Sequence, residues 1–546
     1  MDAYTMSFGS GFGKNTSRIS KDLKACRFFS AIMGDPGQVT ETSDVLSRLG
    51  KRRTKALDRK PRVAIVGAGL AGLRCASVLL GHGDEFEVTL IEGRDRVGGR
   101  VHQAKLPGSG HVVDCGPNWI HGTEDNPILD VAVEAKIPLS RWDENMYIYD
   151  EDGRLLAQSD SDIYSTMMWD IVQDAFAYSS ENSAKVPVET SLFDFFREQV
   201  VKRIPDTKPD WEKKRNFILQ MAEMWGAFVG EPVEKQSLKF FWMEECIEGE
   251  NLFCAGTYQK ILQKIAQPAL DKAKILYSTV VSNIETTSDD GSKLTLTTAG
   301  GERLEFDEVV FTAPLGWLQK NHHRAFNPPL PKALSESIAS IGYGCLEKVY
   351  ISFPTAYWLK PDARGRVVTG FCQWLSPKYP TDSNPHKWNQ EVVELGSLPE
   401  GTGHPTLLFY TYGDQSRYIT EEVARLAPST EKQDAFLRDF FEPYYARLPH
   451  YDAASPDCQP TAFLATDWLR DDLAGNGSYS NFQVGLERGD EDVERMRQGL
   501  PERGLWFAGE HTAPYVALGT ATGAYWSGES VGHRINAAYG FKNKEG

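Results

Sequence analysis

The sequence has few cysteines, no long hydrophobic run and a shortage of positive charge. Its eight cysteines are scattered over 546 residues without a CxxC pair, which argues against a disulfide framework and is typical of reduced thiols in a cytosolic protein. The most apolar stretch, residues 63–80, contains Arg74 and a glycine-rich turn, so no membrane-spanning segment is predicted. With 59 basic and 75 acidic residues the net charge is −16. This argues against a nucleic-acid-binding protein, because such proteins need clustered Lys and Arg.

Targeting signals are also lacking. The amino terminus shows no charged segment followed by an apolar one, so no secretory signal is predicted. Residues 1–60 are rich in Ser, Gly, Lys and Arg with little periodicity, which predicts a flexible tail. Asp2 and Asp22 argue against a mitochondrial presequence, and the last three residues are not a peroxisomal signal. We therefore expect a cytoplasmic protein, with the nucleus as the alternative, and the sequence predicts neither a metal site nor an oligomeric state.

The most informative segment is a strand, a glycine-rich turn and a helix in direct succession. The apolar run 62–66 predicts a buried strand, and a helical pattern extends from the turn to Leu80. Between them stands GxGxxG, whose glycines allow a tight turn, a close approach to a pyrophosphate and close packing of helix on strand. A second strand, residues 86–91, ends at Glu92, where an acid binds a ribose hydroxyl in dinucleotide sites. The pattern predicts a dinucleotide site; a purely structural glycine turn is the alternative.

The continuation after Glu92 indicates which dinucleotide is bound. It reads Arg-Asp-Arg-Val-Gly-Gly-Arg over residues 94–100, and here the sequence resembles the flavin amine oxidase family. A second glycine pair permits another backbone approach to a pyrophosphate, and arginines supply charge-assisted hydrogen bonds to its oxygens. An Arg-rich surface turn is the other interpretation. The resemblance implies FAD, and because no cysteine follows Cys458 it implies non-covalent FAD.

The resemblance continues near the carboxyl terminus, at residues 505–512 (LWFAGEHT) and 519–524 (GTATGA). The first segment predicts a short buried strand, and the second predicts the start of a helix that ends near Asn536. A helix amino terminus beside the flavin would stabilise the negative charge of its reduced form. The residues that the resemblance assigns to FAD are Gly67, Gly69, Ala71, Gly72, Glu92, Arg94, Gly98, Gly99, Arg100, Asn118, Trp119, Val281, Glu510, Thr520 and Ala521.

These segments predict an α/β fold in which a Rossmann-like FAD-binding domain is interleaved with an α+β substrate-binding domain. The FAD-binding domain is predicted to comprise residues 61–140, 251–343 and 489–540, and the substrate-binding domain residues 141–250 and 344–488. Helices are predicted at 128–135, 190–203 and 211–229, and strands at 345–353, 366–375 and 405–412. Strands 282–287 and 293–298 form a predicted hairpin with its turn at 289–291, strand 308–312 follows, and the Pro- and Gly-rich stretch 376–404 is predicted to be loop.

Two residues carry the predicted chemistry. His121 ends the loop Gly-Pro-Asn-Trp-Ile-His, at a position where polyamine-oxidising members of the family carry a histidine or an acid facing the substrate nitrogen. Lys348 lies on a predicted strand and looks like the family lysine that holds a water against flavin N5. Burying a lysine costs free energy, because its charge must be desolvated or its pKa lowered. A structural histidine and an exposed edge-strand lysine are the alternatives.

The resemblance also implies an aromatic cage for the substrate. Tyr479 matches one wall, and an aromatic ring face attracts the charge on an amine and packs against its methylene chain. Trp468 lies one residue beyond the family spacing. The position of the opposite wall, often a tyrosine, is Thr520 here, so the cage is predicted to be half open.

The resemblance therefore implies a flavin amine oxidase acting on a small cationic amine and O2, most simply a polyamine such as spermine, spermidine or an acetylated form. The glutamates at 244, 245, 248 and 250 would bind distal ammonium groups, or form a solvated acidic loop. A histone lysine demethylase is one alternative, disfavoured because no long helical insertion or chromatin-reading domain is evident. A non-catalytic flavin-binding protein is the other, disfavoured by the presence of Lys348 and His121.

Overall fold

The computed structural model describes residues 59–81, 83–141, 146–286, 293–361, 365, 367–399 and 401–541. Almost all of the predicted tail, up to residue 58, lies outside these ranges, as does the predicted hairpin turn at 289–291. Among the described residues, no helix is both long enough and apolar enough to cross a membrane.

The strands follow one another along the chain in short segments. They are β1 Arg62–Val66, β2 Glu87–Ile91, β3 Gln103–Lys105, β4 Val112–Asp114, β5 Trp119–Ile120, β6 Met146–Tyr149, β7 Leu252–Phe253, β8 Lys274–Leu276, β9 Val281–Thr286, β10 Leu294–Thr298, β11 Arg303–Phe306, β12 Glu308–Phe311, β13 Phe326–Asn327, β14 Gly342–Tyr343, β15 Glu347–Ser352, β16 Phe371–Trp374, β17 Gln390–Glu394, β18 Thr406–Thr411, β19 Ala462–Ala465, β20 Ser480–Asn481 and β21 Leu505–Phe507.

The α-helices lie between these strands. They are α1 Leu70–Leu80, α2 Pro127–Glu134, α3 Gln158–Asn182, α4 Leu192–Arg203, α5 Trp211–Ala222, α6 Gly226–Val229, α7 Gln259–Lys272, α8 Leu315–Ala325, α9 Lys332–Ser340, α10 Gly413–Leu426, α11 Thr430–Tyr445, α12 Gly489–Gln498 and α13 Ala521–Ala538.

A five-stranded parallel sheet, in the order β21-β12-β1-β2-β8, holds the glycine-rich turn. Because all its strands run in one direction, their carboxyl ends meet at a single edge, where ligands bind in open α/β sheets. Helices α1, α7 and α13 contribute to the apolar core on one face. Helix α13 approaches α1 closely, since a Cβ at Gly528 would overlap the backbone of Ala71. On the other face lies the four-stranded sheet β11-β10-β9-β13.

A second, six-stranded sheet has the order β19-β15-β18-β17-β16-β6. Its neighbouring strands are antiparallel, except that β16 and β6 are parallel. Helices α3, α4 and α5 pack with β6 in a separate apolar cluster, and helix α11 packs on the sheet itself. The parallel sheet takes its strands from residues 62–91, 274–311 and 505–507, and the six-stranded sheet from 146–149 and 347–465. The predicted domain boundaries stay a prediction.

Most of the predicted elements are confirmed within one to five residues at each end, including β1, β2, β12, β15, β18 and α1. The prediction of loop for 376–404 is wrong, because β17 occupies 390–394 at an interior position of the six-stranded sheet. The strand contains two glutamates, Glu391 and Glu394. Both are buried and accept hydrogen bonds, Glu391 from Gln373 and Glu394 from Trp358. The 25-residue helix α3 was not predicted, since much of its surface is polar.

Candidate active site

The two glycine-rich turns lie against each other at the carboxyl edge of the parallel sheet. The Gly98 N–H donates to the Ala68 carbonyl at 2.8 Å, and Gly69 and Gly98 form an isolated parallel bridge. Helix α1 begins here without a side-chain cap and without an acidic residue in its first turn. Its free N–H groups therefore face outward at the junction of the turns, an arrangement that suits an anion such as a pyrophosphate.

The glycines of the first turn serve different purposes. Gly67 has a φ of +104°, and a Cβ there would lie 2.5 Å from Thr312 Oγ1; a Cβ at Gly72 would overlap the Gly67 carbonyl oxygen. Both are needed by the protein itself. Gly69 is different, because its backbone is extended and the nearest protein atom to an added Cβ is 4.0 Å away. The space beside Gly69 is therefore free for a bound group, and the residues fit FAD.

Glu92 fixes the geometry of both turns. Its carboxylate accepts hydrogen bonds from the Ala68 N–H at 2.7 Å and the Arg94 N–H at 2.8 Å. The chain on the far side is also tied to this point, because the Thr279 N–H donates to the Glu92 carbonyl. Val281, two residues further on, is buried at the start of β9. Glu92 and Val281 thus lie on adjoining segments next to the turn, as an adenosine site requires.

The two arginines predicted to bind the pyrophosphate have protein partners. Arg94 forms an ion pair with Asp471 at 2.8 Å. Arg100 donates to Glu510 at 3.1 Å and to the Ser478 carbonyl at 2.6 Å. Their side chains therefore connect the second glycine turn, at Gly98 and Gly99, to residues 471–480 and 510.

Glu510 is buried, and its carboxylate has both charged and polar partners. Burial opposes its ionisation, but Arg100, His511 and Ser480 together hold its pKa below the ordinary value. Ser480 Oγ donates to the carboxylate at 2.5 Å. Glu510 is therefore an ionised link between the parallel sheet and the segment that carries Tyr479.

Lys348 lies on β15 with its side chain buried. Its Nζ donates to the Gly116 carbonyl and, at 3.4 Å, to the Asp114 carbonyl. Burial lowers the pKa of Lys348 to about 8, an effect that the Asp114 carboxyl partly offsets. In the same way, burial raises the pKa of Asp114. The ammonium group therefore sits against the loop that follows β4, and the predicted alternative of an exposed lysine does not hold.

Asn118 and Trp119, predicted to contact FAD, are held by tyrosines of the six-stranded sheet. The Asn118 side chain donates to Tyr350 Oη at 3.3 Å and accepts from Tyr410 Oη at 3.1 Å. Trp119 Nε1 donates to the same Tyr410 oxygen at 3.1 Å, and its ring stacks on Phe371 at 5.9 Å. These contacts fix the loop between Asp114 and His121 over the sheet.

His121 lies at the end of this loop and is half-buried. Its Nδ1 is 3.3 Å from the Asn251 side-chain oxygen. Burial lowers the pKa of His121 below its usual value, and the hydrogen bond to Asn251 only partly opposes this. The imidazole is therefore neutral at pH 7 and can accept a proton or a hydrogen bond.

The predicted cage residues lie on two sides of this region. Tyr479 Oη donates to the Phe228 carbonyl at 2.5 Å, and its ring is next to Gly519, just before α13. Trp468 is buried with Cys115, whose carbonyl accepts its Nε1–H at 3.0 Å. Thr520 caps α13 by accepting from the Gly523 N–H at 2.9 Å, with Ala521 as the first helical residue. Tyr479 thus lies beside the helix start, whereas Trp468 lies beneath the loop that Lys348 contacts.

The acidic cluster predicted as a distal site is dispersed. Glu244 accepts from the Phe482 N–H at 3.3 Å, and burial raises its pKa to about 8. Glu250 instead pairs with Arg141 at 2.7 Å. Sequence reasoning missed Asp114 and Tyr410, which lie near Lys348, and Glu391 and Gln373, which continue from Tyr410 across the six-stranded sheet. Only cross-strand pairing, which a single sequence does not show, brings the last three together.

Comparisons with known proteins agree on one family. Residues 70–536 match the family model described as flavin containing amine oxidoreductase. Probable polyamine oxidase 4 and polyamine oxidase 2 of Arabidopsis thaliana are each 27% identical to the chain; the matches cover 86% and 88% of this chain and 86% and 90% of theirs. Lysine-specific histone demethylase 1 homolog 3 of Oryza sativa subsp. indica is also 27% identical over 89% of this chain. The chain spans about half of that relative, 55% of its length.

The fold is shared with a solved structure. A double mutant of putrescine oxidase, from a redesign of its cofactor binding, superposes with a TM-score of 0.63 at 17% identity. The superposition covers 88% of this chain and 99% of that chain.

Gly69→Ala tests whether the space beside the turn belongs to a bound group. We expect the apoprotein to keep its thermal unfolding temperature within about 2 °C, because the added methyl meets no protein atom. FAD affinity should fall at least about tenfold, measured by titrating the apoprotein with FAD.

Gly72→Ala is the matched control. Its methyl overlaps the Gly67 carbonyl oxygen, so it should lower the unfolding temperature of the apoprotein itself. If Gly69→Ala retained full FAD affinity, or destabilised the apoprotein as much as Gly72→Ala, FAD would not occupy this space.

Proposed function

The chain belongs to the flavin containing amine oxidoreductase family, with FAD as its cofactor, and we propose that it oxidises polyamines such as spermine, spermidine or their N-acetylated forms. The observation that carries the proposal is the loop 114–121. Lys348 contacts its first part, and His121 ends it. This loop therefore connects the buried Lys348 ammonium group, which contacts its first part, with the His121 imidazole at its end.

FAD supplies the redox chemistry: it would take a hydride from the carbon next to the amine nitrogen and pass the electrons to O2, giving hydrogen peroxide and an imine that hydrolyses to an aldehyde and a shorter amine. The protein's residues position and desolvate the amine. Lys348, held by the Asp114 and Gly116 carbonyls, would hold a water beside the flavin when FAD is bound. The half-buried His121, whose pKa is lowered by desolvation, would accept a hydrogen bond or a proton from the substrate amine.

Tyr479 contributes an aromatic face beside the start of α13. An aromatic face attracts the charge of a partly protonated amine and packs against methylene groups. Because Thr520 stands where a second aromatic wall would be and instead caps the helix, we expect the aromatic cage to be open on that side. This openness favours a longer aliphatic amine over a small monoamine.

A histone lysine demethylase is the second candidate, because such relatives match at the same identity. Among the described residues, the longest helix is the 25-residue α3, which is packed in the apolar cluster with β6. The described residues thus contain no long helical insertion that extends away from the fold, and this favours the polyamine oxidase.

We propose that FAD is bound without a covalent link, since no cysteine follows Cys458. All seven cysteines that the structure describes are free thiols, which is consistent with the cytoplasm as the compartment. The predicted FAD-binding and substrate-binding ranges are part of the same proposal.

A peroxide assay on the FAD-loaded protein tests the substrate class. The panel is spermine, spermidine, their acetylated forms, butylamine and a dimethyl-lysine peptide. We expect kcat/KM to be at least about tenfold higher for one of the polyamines than for butylamine or the peptide. Oxidation of the peptide alone would favour the demethylase, and silence with every amine would favour a non-catalytic flavoprotein.

Lys348→Met tests the role of the buried ammonium. The side chains have similar volume and methionine carries no charge, so the FAD-loaded protein should still form. We expect flavin reduction or reoxidation to slow by about 100-fold or more, measured separately by anaerobic and aerobic stopped-flow absorbance. Turnover close to that of the wild type would contradict the assignment.

A further inference from the structure

One face of the six-stranded sheet carries a row of polar residues that begins at Lys348. Lys348 on β15 lies opposite Tyr410 on β18, Tyr410 lies opposite Glu391 on β17, and Glu391 lies opposite Gln373 on β16. Directly opposed residues of neighbouring strands project to the same face of a sheet. The four side chains therefore form a line across the sheet, at right angles to its strands.

This row faces the active-site loop. Tyr410 Oη accepts from Trp119 Nε1, and Lys348 Nζ lies 5.8 Å from the Tyr410 ring centre. Trp119 stacks on Phe371, which precedes Gln373 by two residues on β16 and so projects to the same face. Aromatic rings therefore lie along the row between Lys348 and Gln373.

Glu391 and Gln373 are buried without a cation. They are 6% and 2% exposed, and Gln373 Nε2 donates to the Glu391 carboxylate at 2.7 Å. The other polar atom of the amide, Gln373 Oε1, is buried and has no hydrogen-bond partner among the described residues. Among the described residues, no Lys, Arg or His side chain contributes to the pKa shift of the Glu391 carboxyl. Burial accordingly raises its pKa to about 7.

Such a pair is unfavourable on its own, because a buried carboxylate and a buried amide oxygen both call for donors. An alkylammonium group supplies three N–H donors and one positive charge, which matches this need. β17 lies two strand spacings from β15, about 10 Å. A monoamine such as butylamine, bound with its nitrogen near Lys348, has no second charge to place beside Glu391. A di- or polyamine of sufficient length can place a second ammonium group there.

We propose that Glu391 and Gln373 bind the remote ammonium group of a di- or polyamine whose reacting nitrogen lies beside Lys348 and His121. This inference rests on the proposed function and deepens it, since it assigns the selection of polyamines to two residues on β17 and β16. Glu391 supplies the negative charge, and Gln373 orients the carboxylate and offers its free Oε1. Tyr410 and Trp119 line the methylene chain between the two ends.

Glu391→Gln is the test variant, because it removes the charge and keeps the shape. Glu394→Gln is the matched control: it alters a buried carboxylate on the same strand that faces the opposite side of the sheet and binds Trp358. Both variants are first checked for FAD content by their visible absorption. Then kcat/KM is measured for spermidine, 1,4-diaminobutane and butylamine.

We expect Glu391→Gln to lower kcat/KM for the better of the two polycationic substrates by about 10- to 100-fold, the effect of losing a charge-assisted hydrogen bond. The loss should appear in KM, and the value for butylamine should change less than about twofold. Glu394→Gln should leave the ratio of polycation to monoamine as in the wild type, even if it unfolds at a lower temperature. Equal losses for all amines, or no loss, would overturn the proposal.

A binding measurement keeps the test independent of turnover. We expect 1,8-diaminooctane to raise the unfolding temperature of the FAD-loaded wild type and of Glu394→Gln, but not of Glu391→Gln. If Glu391→Gln does not retain FAD, Glu391→Asp replaces it, and it should shift the preference toward a diamine one methylene longer. Silence of the wild type with every amine would refute the proposed function, whereas equal diamine stabilisation of wild type and variant would refute the Glu391 site alone.

Discussion

The contact of the Lys348 ammonium with the carbonyls of Asp114 and Gly116 is the constraint on which the site depends. The Asp114 carboxyl offsets the burial of this cation only in part, so carbonyl dipoles fixed around it are needed as well. Here the loop that supplies them is fixed in turn: Tyr350 Oη donates to the Asp114 carbonyl at 2.7 Å, and the Tyr258 N–H donates to the Asp114 carboxylate at 3.1 Å. The six-stranded sheet and the glycine-turn region thus meet at one loop, which also carries His121.

On the other side of the site, two ion pairs connect the second glycine turn to the rest of the protein. Arg94 pairs with Asp471, and Arg100 with the buried Glu510. Glu510 is buried, so removing Arg100 would leave its charge without compensation, which costs about 3–5 kcal/mol in buried ion pairs. The arginines of the second glycine turn therefore hold segment 471–480 against the nucleotide region. Tyr479, on that segment, gains its place beside α13 in this way.

Structure could be predicted from the sequence where a local pattern and a chemical requirement indicate the same element. The strand, glycine turn and helix at 62–80 were predictable, because Gly67 and Gly72 meet steric needs of the turn and Gly69 leaves space for a bound group. The burial of Lys348 was predictable from its strand and the family resemblance. The interior strand β17 was not, because its glutamates are compensated by Gln373 and Trp358, which are distant in sequence. For the same reason, the row from Lys348 to Gln373 depends on pairing between strand residues up to 62 positions apart in the chain, such as Lys348 and Tyr410, and no local sequence pattern predicts it.

The central claim is that this constellation transfers electrons from a polyamine to bound FAD. Anaerobic mixing of the FAD-loaded protein with spermine or spermidine, followed by flavin absorbance, tests it most directly because no oxidation by O2 intervenes. The account predicts that the absorbance of oxidised flavin near 450 nm bleaches fully in a single turnover, with a rate that rises with polyamine concentration and saturates. Flavin that stays oxidised with both polyamines, and with their acetylated forms, would contradict the account.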